Sequence, residues 1–274
     1  MQLIKPQWVL LVHFILPRNS VQSAISMSKF YSDESLAEIA SARSKWMLRN
    51  QKLMENVLGR TYRTPHAAEY ARHGVSRRLR SLGHDSDRVF DLIAPDIDQS
   101  PKSEAILDAT AFIQSFIMNV YGAIDNFARI WCLEAGVLNK KGKPVADGNI
   151  GFRPKNTDVR SSLSGEFQEY LQNCDPWFEY IENYRHAVAH RIPVYIPPKT
   201  LKDDEINRYM KLEADGTAAL MAGKKADFWK LFREQRELGV FEPLMMHSFG
   251  EHAKPVPFHA QMNCKRQAET VQRV

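Results

Sequence analysis

From residue 102 to residue 135 the chain contains no proline and one glycine, Gly122, and its apolar residues fall into two parallel rows. One row runs Phe112, Phe116, Val120, Ala123, Phe127, Ile130, and the other Ile113, Ile117, Ile124, Ala128, Trp131. Steps of three and four residues place each row on one stripe of an α-helix. Two apolar stripes mean that neighbours cover this helix from two sides. At 1.5 Å per residue it extends about 50 Å, and Gly136 marks its end. A chain built around such an element is predicted to be all-α, with other helices laid against the long one.

The rest of the sequence supplies those helices. Leu36, Ile39, Trp46, Leu53 and Val57 recur at helical spacing between a capping-box pattern, Ser35-Leu36-Ala37-Glu38, and Gly59. Residues 60–101 are less regular and carry the densest positive charge, with Arg72, Arg77, Arg78 and Arg80. That stretch reads as a solvated loop or helix face, or as a nucleic-acid patch. Residues 137–162 form a polar connector with room for a short hairpin. A short helix is expected over 163–172. Asp175-Pro176 then provides an N-cap and a proline at the first helical position. Trp177, Ile181, Tyr184 and Val188 are the apolar face of the helix that follows. Pro193 forces an exit, so residues 192–198 must be extended. Two further helices are expected over 203–222 and 226–238, and a last short one from Met262. The architecture expected is an antiparallel helical bundle over 27–240, with a loop-rich extension over 241–274.

Composition sets the outer bounds. The chain has 274 residues and is 44% hydrophobic and 25% charged, enough to bury a sizeable core. The formal charge of +5 permits a nucleic-acid partner without requiring one. Cys132, Cys174 and Cys264 are odd in number and far apart, which excludes a disulfide framework and fits reduced thiols in a cytoplasm. Residues 8–16 are apolar except for His13, too short to span a bilayer as a helix. A signal peptide is one reading of this end. The favoured reading is that Met27 is the natural start and residues 1–26 are an over-extended or disordered N-terminus.

Chemistry concentrates at one helix end. Arg185, His186 and His190 lie within six residues. His186 and His190 share a face, one turn apart, whereas Arg185 and His190 diverge by about 140° and rise about 7.5 Å. Arginine presents a fixed fork of donors to phosphate oxygens, and histidine moves protons near neutral pH. RNA brings its own nucleophile, the 2′-hydroxyl, so a base and an anion stabiliser suffice without metal. Two other readings use the same residues. Cations accumulate at helix C-termini because they offset the dipole, and two histidines at i, i+4 form half of a zinc site, here without the glutamate of H-E-x-x-H. Asn119 and Asn126 share a stripe of the long helix, with Asp125 beside it. They orient Arg185 or His190, or they bond across the helix pair and hold its register. His247, His252 and His259 with Glu251 fit no metal template and read as polar surface.

Arg185-His186-Ala187-Val188-Ala189-His190 resembles the R-x4-6-H motif of the HEPN superfamily. Residues 175–184 resemble that family's last core helix, and residues 119–128 its long partner helix. The exit at 191–198 and His247-Ser248-Phe249-Gly250 look like a bacterial branch of it. The resemblance implies a bundle of four or five helices, commonly dimeric. Many members are metal-independent endoribonucleases of toxin–antitoxin, abortive-infection or CRISPR-linked defence systems; others bind nucleotides, RNA or protein without catalysis. For this chain it implies Arg185, His190 and His186 as catalytic residues, with Asn119, Asp125, Asn126 and Tyr184 in support and no cofactor or metal. The implied partners are RNA or a nucleotide, an antitoxin protein and a second copy of the chain, with no membrane. Two copies of the diverging Arg185 and His190 would close one groove across a two-fold axis, flanked by Tyr184 and residues 192–198.

Overall fold

A computed structural model describes residues 30–247 and 255–263 of the chain. The readings made of residues 1–26, Ser248 to Gly250, Glu251, His252 and Cys264 lie outside the described residues. The fold is all-α, as the sequence leads one to expect. Ten α-helices are described: α1 (Asp33–Gly59), α2 (Pro65–Glu69), α3 (Ser76–Leu92), α4 (Ser103–Ala135), α5 (Thr157–Ser161), α6 (Gly165–Asn173), α7 (Asp175–His190), α8 (Asp203–Met221), α9 (Lys225–Glu237) and α10 (Phe258–Asn263). A π-helical segment, Tyr70–Val75, joins α2 to α3, and a 3-10 turn, Asp147–Asn149, lies in the connector. The strands are two residues each: β1 (Leu244–Met245) pairs antiparallel with β2 (Val256–Pro257). No helix among the described residues is long and apolar enough to cross a membrane.

The long helix α4 is central for the reason its two rows suggest. Ile113, Phe116, Ile117, Val120, Ala123, Ile124, Phe127, Ala128 and Ile130 are all buried. On one side it packs against α3 and the π-helical segment, and on another against α7. Gly136 takes φ 62°, a left-handed conformation that residues with a Cβ adopt only with strain, and its N–H returns to the Cys132 carbonyl. The Glu134 carboxylate accepts from the Arg63 N–H at 2.8 Å, while Arg63 Nη1 donates to the Glu134 carbonyl at 2.8 Å. These two bonds tie the approach to α2 to the end of α4.

Local readings are corrected in three places. The N-cap of α1 is Ser32, whose hydroxyl accepts from the Ser35 N–H at 3.2 Å, so Ser35 sits inside the first turn. Residues 65–92 are helical almost throughout; Thr64 caps α2 ahead of Pro65, and Leu79, Leu82, Val89 and Phe90 are buried along α3. Asp175 lies within the helix; both terminal nitrogens of Arg160 hold its carboxylate.

The exit after α7 folds back on its own chain. Gln114 Nε2 donates to the Val194 carbonyl at 2.6 Å, and the Ile196 N–H donates to Thr110 Oγ1 at 3.4 Å. Val194 and Ile196 are buried, while Ile192 and Tyr195 stay exposed. A bridge between Thr200 and Val240 then closes the base of a helical hairpin, α8–α9. The far end of the described chain packs α10 against α1. There His259 is fully buried, contrary to its reading as polar surface: Nε2–H donates to the Ile93 carbonyl at 2.6 Å, with Tyr31 and Phe90 against the ring.

Candidate functional site

Helix α7 presents its polar residues where it leaves the core. Trp177, Ile181, Tyr184 and Ala187 are buried, so Arg185 and His186 fall at the rim of the packing and His190 at the exposed last turn. The Arg185 guanidinium lies over the ring of Tyr121 on α4, 5.2 Å from its centroid. Arg153 from the connector approaches the same ring at 5.4 Å. Two cations against one ring draw on its negative face. The rings of His186 and His190 are 6.3 Å apart, confirming that one face carries both.

Carboxylates balance part of this charge. Glu182, one turn before His186, accepts from Arg153 at 2.6 Å and from Lys155 at 3.3 Å. Burial alone would raise its pKa; these hydrogen bonds and charges outweigh that and hold it below the usual range. His186 Nε2 is 4.0 Å from the same carboxylate. Partial desolvation, with Arg185, Arg191 and His190 nearby, outweighs Glu182 and lowers the His186 pKa, so the imidazole is mostly neutral at pH 7. Asp125, one turn from Tyr121, is pushed up by burial although Arg153, Arg129, Arg185 and Arg78 all pull it down. Burial with Asp125 nearby moves the Tyr121 hydroxyl to about 12.

The residues read from the sequence therefore divide. Arg185, His186 and His190 share the end of α7, and Asp125 is in electrostatic reach of Arg185. Tyr184 is buried within its own chain, its ring 4.7 Å from Tyr180 and 4.2 Å from His247. Asn119 and Asn126 face elsewhere: they line a groove of about 480 Å³ between α4 and the π-helical segment, together with Tyr70, His73, Arg77 and Arg78. There Arg78 Nη1 donates to Asn119 Oδ1 at 3.3 Å, and Asn119 Nδ2 donates to the Ser115 carbonyl at 3.0 Å. From sequence alone the arginines of this groove read as a solvated loop or helix face, or as a nucleic-acid patch. Gly74 and Gly122, two glycines inside helical segments, are the signal that polar side chains approach closely here.

Metal binding by the histidines has no geometric support: no group of three or more His, Cys, Asp or Glu among the described residues is placed to hold an ion. Cys132 and Cys174 are unbridged, and burial pushes both thiols up to about 11, which makes them poor nucleophiles. No family model, curated protein or solved structure matches the chain.

Proposed function

We propose that the chain is a metal-independent endoribonuclease of the HEPN type, acting at the end of α7. What carries the reading is the juxtaposition of Arg185 with two imidazoles 6.3 Å apart at an exposed helix end. His190 takes the proton of the RNA 2′-hydroxyl, and the 2′-oxygen attacks the adjacent phosphorus. The bond to the 5′-oxygen breaks, and that oxygen receives a proton from a second histidine, His186 or the partner copy's His190. The products are a 2′,3′-cyclic phosphate and a 5′-hydroxyl. Arg185 binds the non-bridging oxygens as charge builds on them. A bound phosphate opposes the Arg185 and Arg191 charges that help to lower the His186 pKa, and so favours the protonated form that His186 needs to donate. Two copies pairing through the ends of α7 supply the groove that one chain leaves open, and an antitoxin protein that covers this end would silence it.

Purified protein incubated with RNA in EDTA tests the reading. Cleavage is expected to persist without metal and to fall about 10²–10³-fold in His190→Ala. Absence of cleavage, or cleavage unchanged in His190→Ala, overturns it. A non-catalytic module of the same fold is the second reading, favoured by the contact between Arg185 and Tyr121, which already engages the guanidinium in packing. Growth arrest on overexpression that disappears in His190→Ala favours the enzyme; no arrest, with RNA binding that depends on Arg185, favours the module.

A further inference from the structure

The groove beside α4 is built differently from the end of α7, and it asks for a ligand of its own. Its wall is the π-helical segment Tyr70–Val75, a form that is rare and frequent at functional sites because one extra residue opens the helix. Ser76 Oγ satisfies the Ala71 carbonyl at 2.9 Å, which steadies the opened turn. Two glycines admit polar groups to the floor. A Cβ on Gly74 would stand 2.6 Å from Asn126 Nδ2, and one on Gly122 would stand 2.8 Å from Arg78 Nε and nearer still to its Cζ and Nη1. Glycine within a helix costs about 1 kcal/mol relative to alanine, and here it lets Arg78 lie flat across α4.

Arg78 is half-buried, yet its hydrogen bond among the described residues goes to a neutral oxygen, Asn119 Oδ1, and no described carboxylate reaches it within salt-bridge distance. A guanidinium carries five N–H donors, so most of its donor capacity faces the groove. Arg77 precedes it, with Nη2 3.5 Å from His73 Nδ1. Asn126, also half-buried, leaves its carboxamide without a described hydrogen-bond partner. On the rim the rings of His66 and Tyr70 stack at 5.3 Å, and Glu69 is the one carboxylate among the lining side chains. The volume of about 480 Å³ is that of a small-molecule site.

We infer that this groove binds a small phosphomonoester, its phosphate gripped by Arg77 and Arg78 and its polar body hydrogen-bonded by Asn126. Paired guanidiniums with uncommitted donors match a dianionic phosphate in charge and shape. Asn126 serves a hydroxyl or a ring nitrogen equally, so a sugar phosphate and a nucleotide share the chemistry. The inference stands apart from the reading of α7, because none of its residues belongs to the Arg185–His190 stretch.

Calorimetric titration of the full chain with ribose 5-phosphate, the four ribonucleoside 5′-monophosphates and inorganic phosphate is the test. At least one organic phosphate is expected to saturate one site per chain at least tenfold more tightly than inorganic phosphate; which one wins identifies the body. Arg77→Ala, at an exposed position where folding is not at stake, should weaken that binding about tenfold, and Gly122→Ala, which displaces the Arg78 guanidinium, should weaken it further, with thermal melts confirming a folded chain. His190→Ala should leave it unchanged, which separates this site from the nuclease reading. Binding of inorganic phosphate alone, no saturable binding, or binding indifferent to both Arg77→Ala and Gly122→Ala overturns the inference.

Discussion

Helices α4 and α9 begin from similar material and end in opposite environments. Both carry aromatic and aliphatic residues at helical spacing. In α4 both rows are buried apart from Phe112 and Trp131 at their ends, which are half-buried, and Ala123 and Ala128 are fully enclosed. In α9 no residue is buried, and in its hairpin partner α8 only Gly216 is, against Phe228 and Leu231. Met210, Met221 and Trp229 are exposed on this hairpin. Periodicity tells where a helix forms and which side is apolar, but burial depends on whether another element arrives to cover that side. Around α4, α3, the π-helical segment and α7 arrive. Around α8–α9 the two helices cover each other and little else does.

The sharpest way to break this comparison is truncation of one side chain in each region. Ile113→Ala on α4 or Leu79→Ala on α3, both buried in the core, should cost about 2–5 kcal/mol in urea unfolding. Trp229→Ala on the hairpin should cost less than about 1 kcal/mol. Equal losses would mean that the hairpin is covered in solution.

A second expected effect is nearly as large and depends on pH. Burial, with Arg43 nearby and despite the bond to the Ile93 carbonyl, lowers the His259 pKa from 6.5 to about 4. The folded state therefore binds fewer protons than the unfolded chain between those values. Stability is fully present above about pH 6.5 and falls as pH drops towards 4, by about 3 kcal/mol in the limit. Unfolding midpoints across this window, in wild type and His259→Gln, check the sign: the variant starts less stable, and its pH dependence is flatter. The hairpin contributes no buried histidine, so this slope belongs to the packed side of the molecule.

The smallest effect sharpens the contrast. Met221→Ser, at an exposed position near the hairpin tip, should change stability by no more than about 0.5 kcal/mol. A gain in solubility with unchanged stability would show that the exposed apolar residues serve no fold.

Legibility in the sequence followed the strength of the local signal. α4, α8 and α9 were legible to within a residue or two, because long unbroken periodicity and glycine stops are encoded locally. The stretch 65–92 was not, because its buried row is diluted by polar residues that the structure also buries: Ser76, Asp85 and Ser86. Its π-helical segment leaves no mark in hydrophobic spacing. The cap of α1 was misplaced by one turn because Ser32 and Ser35 are chemically equivalent candidates, and only geometry shows which hydroxyl accepts. At the candidate site, Arg185, His186 and His190 were legible from residue type and spacing, whereas the contact of Arg185 with Tyr121 joins α7 to α4 across a sequence separation of 64 and has no local trace.

The sequence by itself determined that this chain is helical, where its long helices run, and that a cationic, imidazole-bearing end closes one of them, since these depend on interactions over three or four residues. Only the tertiary structure decided that His259 is buried against Tyr31 and Phe90, that the arm after Pro193 returns to its own α4, and that Asn119 and Asn126 face a groove with Arg77 and Arg78 rather than the end of α7. Each of these outcomes depends on which distant segment packs where, and a one-residue rotation of a helix about its axis, 100°, is enough to change it.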